Sequence, residues 1–272
     1  KEAIEFHYLK MIDDEIESDF EEIKKAKAPK IEIINSDINI KLRIPQREYH
    51  SKINEILAHI QRGDIYEMNY CQEFYAKETE ILAEDIFLKL NNSMKAPFSS
   101  FLKLKDKYVL SASPERFLRK KANQVLTQPI KGTRKRGLTA EEDARLINNL
   151  KKSQKDISEN IMITDLVRND LSITAKKKLV VVDELCEVYT FEKVHQMITT
   201  VSSEIADSIK FTDVIKSAFP MGSMTGAPKL KAMELIEYFE EFKRGIFSGS
   251  VGYITPEADF DFNVVIRTIL YN

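Results

Sequence analysis

Two stretches in which apolar runs flank a short polar turn constrain the fold of this chain more than any other feature. Residues 99–113 contain two such runs around a charged turn at 105–107, and residues 250–270 contain two more around 256–259. Short polar turns between apolar runs are typical of β-hairpins, whose strands pair antiparallel. The chain is therefore expected to contain antiparallel sheets.

Helical patterns precede the first hairpin and lie between the two. Apolar side chains recur at helical spacing from residue 48 to 62, and Gly63 suits the left-handed residue that ends a helix. Residues 65–76 then alternate in the manner of a half-buried strand. Three further helices are predicted from capping residues and apolar spacing, at 139–154, at 157–167 and from Pro228 onward.

Strand pairs that alternate irregularly with helices indicate an α+β fold with antiparallel sheets. The 272 residues show no Pro- or Ser-rich linker and no internal repeat, so we expect a single domain over residues 1–272. Residues 1–45 receive no chemical assignment from their sequence. Because the sequence begins with Lys1 and stops directly after a strand-like run, we expect the natural protein to continue beyond both ends.

The charge balance argues against a polyanionic partner. Lys and Arg number 41 against 43 Asp and Glu, and the formal net charge of -2 supplies no global field for nucleic acid or an anionic membrane. No apolar run approaches the roughly 20 residues that cross a bilayer. The two cysteines, Cys71 and Cys186, are too few for a disulfide framework, so a reducing, cytoplasmic setting is predicted.

Lys131 is the first candidate for chemistry. It lies in the Pro- and Gly-framed segment 129–133, directly before the cations at 134–136. A lysine crowded by other cations loses ammonium stability, so part of its population becomes a free, nucleophilic amine. The alternative is a solvated basic turn, which these residues alone favour because charge runs usually face water.

The predicted helix 157–167 and the residues after it carry three acids, Glu159, Asp165 and Asp170. Carboxylate oxygens are the ligands that Mg²⁺ prefers, and Mg²⁺ takes only a few from the protein. A magnesium site is therefore one interpretation. A surface set of ion pairs that includes Arg168 is the other.

A loop with two glycines and two hydroxyl side chains, residues 219–229, precedes the helix at Pro228. Its backbone N–H groups and the helix dipole could bind a carboxylate or a phosphate. The order of residues differs from a P-loop, so a nucleoside triphosphate is not favoured. A plain loop-to-helix junction explains the same residues equally well.

His195 and Arg267 each stand in a strand-like run. A lone histidine is more often a satisfied structural group than a catalyst. Arg267 has the apolar residues Val265 and Ile269 two positions away, so its guanidinium is expected over a buried surface with an anionic partner. That partner is either a ligand carboxylate or a structural acid.

Five segments, taken together and in order, resemble the chorismate-utilising enzyme family. The resemblance covers the chain from about Ile60 to Asn272 and implies that family's fold, an α+β sandwich of antiparallel sheets with helices on the outside. It also implies a Mg²⁺-dependent reaction of chorismate. The five segments are SPERF at 113–117, PIKGTRKRG at 129–137, KDISEN through RND at 155–170, GSMTGAPK at 222–229 and VVIRT at 264–268.

Lysine at position 131 resembles the branch of the family that forms aminodeoxychorismate, whereas the anthranilate-forming branch has alanine there. The resemblance implies that Lys131 attacks ring C2 and expels the 4-hydroxyl, after which ammonia adds at C4 and expels the lysine. It assigns the acid that protonates the hydroxyl to Glu115 and a Mg²⁺ ligand to Glu159. It also makes His195, beside the ring, a catalytic residue, and it places the substrate against the following residues: Gly132, Thr133, Thr225, Gly226, Tyr253 and Arg267.

The resemblance implies a separate glutamine amidotransferase that supplies ammonia, since no glutaminase cysteine motif occurs in this sequence. Water-adding relatives have a lysine base near the position of Glu67, where ammonia-using branches usually have glutamine, so isochorismate and salicylate synthesis are not expected. The family continues past VVIRT to a second Mg²⁺-binding glutamate that this sequence does not reach. Anthranilate synthesis and a non-catalytic anion-binding module of the same fold remain the alternatives.

Overall fold

The computed structural model describes residues 15–26, 38–206 and 208–272. Residues 1–35 and 36–272 form two compact units, and the described part of the first contains helix α1 (Ile16–Lys25). Part of the unassigned segment 1–45 lies outside the described residues. The expectation of a single domain stays a prediction.

Six α-helices belong to the described part of the second unit, and their ends follow local capping. Gly63 has a φ of 80° and ends the first of them, as predicted. The Thr139 hydroxyl accepts the Glu142 N–H at the start of another, also as predicted. The six are α2 (Gln46–Arg62), α3 (Ala83–Met94), α4 (Ala140–Lys151), α5 (Gln154–Ser172), α6 (Phe211–Ala218) and α7 (Lys229–Phe239).

The boundary between α4 and α5 was predicted a few residues too late. Ser153 interrupts the helical run and its hydroxyl accepts the Asp156 N–H, so α5 begins at Gln154 and α4 ends at Lys151. The early start places Asp156 in the first turn of α5.

The described strands pair antiparallel throughout. They are β1 (Lys41–Leu42), β2 (Glu67–Met68), β3 (Phe74–Tyr75), β4 (Phe98–Leu104), β5 (Lys107–Ser113), β6 (Arg116–Lys121), β7 (Gln124–Gln128), β8 (Ile130–Lys135), β9 (Ala175–Thr190), β10 (Val194–Ile205), β11 (Gly226–Ala227), β12 (Gly252–Ile254), β13 (Phe260–Asn263) and β14 (Thr268–Tyr271).

Within the described ranges, seven strands form the largest sheet, in the order β12-β13-β6-β7-β10-β8 with β9 also paired to β10. Strands β7 and β8 are one extended run interrupted at Pro129, which has no N–H to donate. The Pro129 carbonyl still accepts the Thr199 N–H of β10. As a result β8 continues along β10 beyond the proline and brings Lys131 into the sheet.

The hairpin predicted over residues 99–113 is confirmed as β4 and β5. The hairpin predicted over 250–270 is only half right. Strands β12 and β13 pair, but the chain then leaves the large sheet and β14 pairs with β5 in a second sheet of order β14-β5-β4. The crossing contains buried Val264 and Val265 and a left-handed residue, Arg267, with a φ of 51°.

The strand predicted over residues 65–76 is wrong for most of its length. Only β2 and β3 are strand in this stretch, and Tyr66 and Phe74, which the alternation placed on one face of a half-buried strand, are both exposed. The backbone N–H groups of Asn69 and Cys71 donate to the Thr225 carbonyl and to the Glu240 carboxylate instead of to a neighbouring strand.

Two apolar clusters stabilise the second unit. The large one lies between the seven-stranded sheet and helices α5 and α6, and the small one joins α2 and α7 to the residues around β2. The large cluster consists of Phe117, Leu118, Val125, Ile163, Val167, Leu171, Val201, Ile205, Val214, Ala218, Met221, Phe260 and Val264. The small one consists of Ile56, Ile65, Ala232, Leu235 and Phe239.

The observed helices and antiparallel sheets confirm the predicted α+β class. In the part of the chain that the structure describes, no helix is both long enough and apolar enough to span a membrane.

Candidate active site

The Lys131 side chain is only 13% exposed and its Nζ contacts Oε1 of Glu67. This placement rules out the solvated turn. It also weakens the explanation by crowding of cations, because two of the three neighbouring cations, Arg134 and Arg136, pair with acids of their own. Arg134 contacts Asp156 at 2.7 Å, and Arg136 contacts an acid of helix α4.

Gly132 explains how strand β8 presents Lys131. Its φ is 89°, and a Cβ at this position would lie 2.9 Å from Cβ of Asp156, too close for an ordinary contact. The pairing of β10 with β8 shifts register between Gln196 and Ile198, opposite this point. The glycine therefore lets the first turn of α5 approach a locally irregular strand.

Glu67 is held by strand β2, which pairs with β11 so that Glu67 lies opposite Ala227. The flanking residues extend this pairing, since the Tyr66 N–H donates to the Ala227 carbonyl at 2.7 Å. Gly226 has a φ of 148°, and a Cβ there would lie 2.1 Å from the Glu67 carbonyl oxygen. The loop predicted to bind an anion thus serves as the strand partner of Glu67.

The loop that was interpreted as an anion-binding site also forms hydrogen bonds within itself. The N–H groups of Met224 and Thr225 donate to the carbonyls of Met221 and Gly222, and the Thr225 hydroxyl donates to the Met221 carbonyl. Thr225 is buried. The roles of Thr225 and Gly226 toward a substrate stay predictions, while their contribution to the backbone around Glu67 is a feature of the structure.

Glu115 is a buried acid in a dry environment. Burial raises its pKa to about 7, against the opposing effects of a hydrogen bond from Ser223, the charge of Lys131, a backbone hydrogen bond from Ile130 and the charge of Arg267. A cavity at this carboxyl is lined largely by apolar residues of the large cluster and by Ser223. The carboxyl is therefore suited to donate a proton near neutral pH.

His195 lies on β10, is fully buried and has both ring nitrogens engaged. Nε2 lies 2.8 Å from Oδ1 of Asp143, and Nδ1 lies 2.9 Å from the Thr190 hydroxyl. Asp143 also accepts from Arg136 and from the Gly137 N–H, and these donors hold the pKa of that carboxyl well below its usual range. The catalytic role of His195 stays a prediction, and the geometry also provides a structural role.

Three residues expected to touch the substrate are exposed: Thr133, Tyr253 and Arg267. Tyr253 is on the edge strand β12 and is 63% exposed. Arg267 does not lie over a buried surface between two apolar neighbours as predicted, because its left-handed backbone breaks the strand alternation. Its charge nevertheless acts on the Glu115 carboxyl, which places the two groups in one region.

Glu159 follows Asp156 by one turn of α5, and its carboxylate is partly exposed. Its ion pair with Lys155 is loose, at 3.7 Å. Over the described ranges, no three His, Cys, Asp or Glu side chains gather into a metal-binding group. Asp165 pairs with Arg168 at 3.2 Å on the surface, as the ion-pair interpretation predicted, whereas Asp170 is buried and pairs with Lys229 at 2.6 Å.

Sequence reasoning identified Lys131 and Glu115 but missed that Glu67 contacts the lysine. The two residues are 64 positions apart, and Glu67 belongs to a strand of two residues that periodicity cannot reveal. It also missed Asp143 and Ser223, which carry no spacing signal.

A buried carboxyl whose pKa is raised by burial and a half-buried lysine that contacts a second carboxylate lie in this antiparallel α+β fold, an arrangement suited to covalent or acid–base chemistry. Residues 7–272 match the chorismate binding enzyme family. The chain belongs to that family.

Similar proteins come from several branches of it. The chain is 40% identical over 222 residues to aminodeoxychorismate synthase component 1 of Salmonella typhimurium, covering 82% of this chain and 49% of that protein. It is 33% identical over 233 residues to anthranilate synthase component 1 of Aquifex aeolicus, covering 86% and 47%. The chain thus spans about half the length of the curated relatives it matches.

A solved structure agrees with these matches. Anthranilate synthase component I from Streptococcus pneumoniae superposes with a TM-score of 0.82 at 27% identity, over 93% of this chain and 56% of that one.

Proposed function

We propose that this protein converts chorismate and ammonia to 4-amino-4-deoxychorismate, with a covalent bond to Lys131 as the intermediate. The observation that carries the proposal is a half-buried lysine, 13% exposed, whose charge acts on a buried carboxyl with a pKa of about 7. Higher identity to an aminodeoxychorismate synthase than to an anthranilate synthase, 40% against 33%, supports this branch.

The proposed chemistry divides one displacement into two. Nζ of Lys131 bonds to ring C2 while the 4-hydroxyl leaves, and Glu115 supplies the proton that lets it depart as water. Ammonia then bonds to C4 and Lys131 is released. The dry surroundings of Glu115 favour the neutral acid that this step requires.

Chorismate carries two carboxylates, and the proposal gives each a positive partner. Arg267 and Tyr253 bind the enolpyruvyl carboxylate, which their exposure permits. Gly132, Thr133, Thr225, Gly226 and His195 line the ring in the same proposal.

We assign the ring carboxylate to Mg²⁺ with Glu159 as a protein ligand. One carboxylate with a loose partner fits Mg²⁺, which commonly keeps several waters and takes further oxygens from its substrate. When bound, the ion would neutralise the charge of the ring carboxylate.

The ammonia source in this proposal is a separate glutamine amidotransferase subunit, an idea supported by the "component 1" in the names of the relatives. Two free cysteines, Cys71 and Cys186, support a reducing, cytoplasmic setting.

The test is a product assay of the purified protein with chorismate, Mg²⁺ and ammonium. Aminodeoxychorismate, identified by chromatography and by its conversion to para-aminobenzoate with an added lyase, is the expected product. Fluorescent anthranilate formed without a lyase would instead support the anthranilate branch. Ligand-induced stabilisation without any loss of chorismate would support the non-catalytic alternative.

A further inference from the structure

We propose that Asp170 and one buried water molecule form the route by which Glu115 regains the proton that it spends in each turnover. The inference rests on the proposed function, because Glu115 is the proton donor there. Asp170 acts through the water and Glu115 and does not touch the substrate, so it is a positioning residue for the proton.

The proton balance of the proposed reaction creates the need for such a route. The neutral amine of Lys131 bonds to ring C2, the ring double bond shifts, and the C4–O bond breaks. The departing oxygen takes the Glu115 proton and leaves as water. Ammonia then bonds to C4, and the electron pair of the C2–Nζ bond returns to Nζ, which leaves as a neutral amine. The product carries a protonated amine and Glu115 is ionised, so one proton has to reach Glu115 from solution before the next turnover.

A small cavity extends from Glu115 to the carboxyl-terminal half of helix α5. Its volume is about 20 Å³, enough for one water molecule, which needs roughly 10–15 Å³. Most of its lining is apolar and belongs to the large cluster. Its polar lining residues are Glu115, Ser223, Thr127, Arg116 and Asp170. A water in this cavity therefore meets several polar groups, as a buried water requires.

The hydroxyl of Thr127 points to a water at this position. Thr127 lies on β7 and is only 6% exposed, yet its hydroxyl forms no hydrogen bond with any described residue. Buried hydroxyls nearly always have a partner, so one without a protein partner calls for a bound water or another explanation. Because Thr127 lines the cavity together with Glu115, a water bonded to its hydroxyl lies next to the proton donor.

Asp170 forms the outer end of the route. Its Oδ2 accepts a hydrogen bond from Nζ of Lys229 at 2.6 Å, whereas its Oδ1 has no hydrogen-bond partner among the described residues. The side chains of Lys229 and Asp170 are 14% and 12% exposed, so bulk water still reaches the pair. One oxygen of this carboxylate is thus fixed by the lysine and the other is available to exchange a proton.

The proton affinities of the two acids also suit a transfer between them. Burial raises the pKa of Asp170, and the charge of Lys229 opposes this increase. Burial raises the pKa of Glu115 to about 7. Both shifts have the same direction, so Asp170 holds a proton more readily than an exposed aspartate and passes it on to a stronger acceptor.

The other charged groups around the cavity do not offer a second donor. Arg116 pairs with an acid of β13 at 2.9 Å, and a guanidinium does not give up a proton in proteins. Lys131 and Arg267 act on Glu115 by their charge. Among the described lining residues, Asp170 is therefore the acid that remains to supply Glu115.

The transfer itself changes no electron count. Asp170 takes a proton from bulk water and gives it to the water in the cavity, which at the same time gives one of its own protons to Glu115. Asp170 returns to a carboxylate paired with Lys229. The route consumes one proton from solution per turnover and needs no other reactant.

The first experiment compares Asp170→Asn with Asp259→Asn by rapid quenching and by steady-state assay. Asp259 is the matched control, because it contacts Lys120 at 3.0 Å, that lysine is 9% exposed, and Asp259 does not line the cavity. Since Glu115 begins protonated, Asp170→Asn should form its first product per site at the original rate and then slow. We expect this burst with kcat lowered roughly 100-fold, and neither effect in Asp259→Asn.

A second pair of variants tests the water without removing a charge. Thr127→Val keeps the shape of the side chain and removes its hydroxyl. Ser203→Ala is its control, because the Ser203 hydroxyl is also buried without a partner among the described residues but does not line the cavity. Thr127→Val should show the burst and a smaller loss of kcat, and Ser203→Ala should show neither. This pair decides the question if Asp170→Asn does not fold.

A small buffer acid distinguishes a proton route from a structural role. Raising the imidazolium concentration at constant pH and ionic strength should restore part of kcat in Asp170→Asn, because another proton donor then serves Glu115. A structural role predicts no dependence on buffer concentration. A crystal structure of the unaltered protein should also contain one ordered water within hydrogen-bond distance of Oγ1 of Thr127, and its absence would contradict the inference.

Three kinetic outcomes would overturn the inference. Full kcat without a burst in both Asp170→Asn and Thr127→Val would show that the proton enters from the substrate side, and the proposed function would stand. Equal slowing of the first and the later turnovers, without rescue by imidazolium, would assign Asp170 a structural role. Absence of any product from the unaltered protein would remove the proposed function as well.

Discussion

Two polar clusters lie along the paired strands β8 and β10, and they differ in how well their groups are satisfied. The reactive cluster contains Lys131, Glu67 and Glu115. The bonded cluster contains His195, Asp143 and Arg136. In the reactive cluster one carboxylate oxygen is buried without a partner among the described residues, and one carboxyl has its pKa raised to about 7.

In the bonded cluster the acid has several donors. Asp143 accepts from Arg136, from a backbone N–H and from His195, and its pKa falls as a result. Satisfied hydrogen bonds stabilise a fold, whereas unsatisfied or neutralised buried groups are unfavourable for stability and are retained where chemistry needs them. The comparison therefore favours the first cluster as the place of the proposed chemistry and structural roles for the second.

The largest expected effect is loss of the nucleophile. Lys131→Ala should abolish aminodeoxychorismate formation, by more than about 1,000-fold in kcat, because no other amine replaces it. Lys52→Ala, which removes a lysine of similar burial from another acid, should leave turnover unchanged. Steady-state product assays measure both. Unchanged turnover in Lys131→Ala would remove the reactive cluster from the mechanism.

Glu115→Gln should be next in size. Removing a general acid lowers kcat by roughly 100- to 10,000-fold, and a neutral amide fits a site that already favours a neutral acid, so folding should be retained. A normal unfolding midpoint together with lost activity is the expected pair of results. Retained activity would assign the proton donor to another group.

The pKa of Glu115 also predicts a pH dependence of stability. The acid has an ordinary value of 4.5 and a folded value of about 7, so the folded state binds more protons between these two values. The contribution of this group to stability is thus complete below pH 4.5 and is lost as the pH rises to about 7. Denaturant unfolding across this window should show the decline, and Glu115→Gln should remove that part of it.

Gly226→Ala should have an intermediate effect, because it should lower both stability and turnover. The new Cβ would lie 2.1 Å from the Glu67 carbonyl oxygen, so β2 has to shift, at a cost of about 1–3 kcal/mol in stability. The shift moves Glu67 relative to Lys131, so kcat should fall as well. Gly63→Ala is the control, because its φ is also positive but no atom lies within 4 Å. It should lower stability alone.

The smallest effect on activity is expected in the bonded cluster. Asp143→Asn should lower the thermal midpoint at neutral pH and leave kcat within about threefold of the original, as for a structural change away from the reacting atoms. A loss of turnover as large as that of Lys131→Ala, without a loss of stability, would contradict a structural role for the bonded cluster. It would also favour the catalytic role predicted for His195.

The pH dependence of stability that arises from Asp143 should have the opposite sign to the one that arises from Glu115. Its pKa is lowered from 3.8, so its contribution to stability is present above pH 3.8 and is lost as the pH falls below it. Acid unfolding of Asp143→Asn should therefore lack this component.

Much of the fold could be predicted because its signals are local. The turn between β4 and β5, the Thr139 cap and Gly63 each act within a few residues. The passage from β13 to β14 could not be predicted, since the alternation of residues 260–270 does not show the left-handed backbone at Arg267 or the second sheet. Pairing between sheets depends on contacts that are distant in sequence.

The site was predicted to a similar degree. Lys131 and Glu115 stand in recognisable segments, but the partner of Lys131 depends on tertiary structure. Glu67 reaches Lys131 because β8 continues to pair with β10 beyond Pro129 and because β2 pairs with β11. The cations next to Lys131 suggested an electrostatic explanation that the structure replaces with a carboxylate contact.

The central claim is that the amine of Lys131 forms a bond to the substrate. The most direct test is mass spectrometry of the protein quenched after exposure to chorismate and Mg²⁺ without ammonia, where the adduct should accumulate. We predict a mass increase equal to chorismate minus water, located on the peptide that contains Lys131. Chorismate consumption with no modified lysine, or with the modification on another residue, would contradict the account.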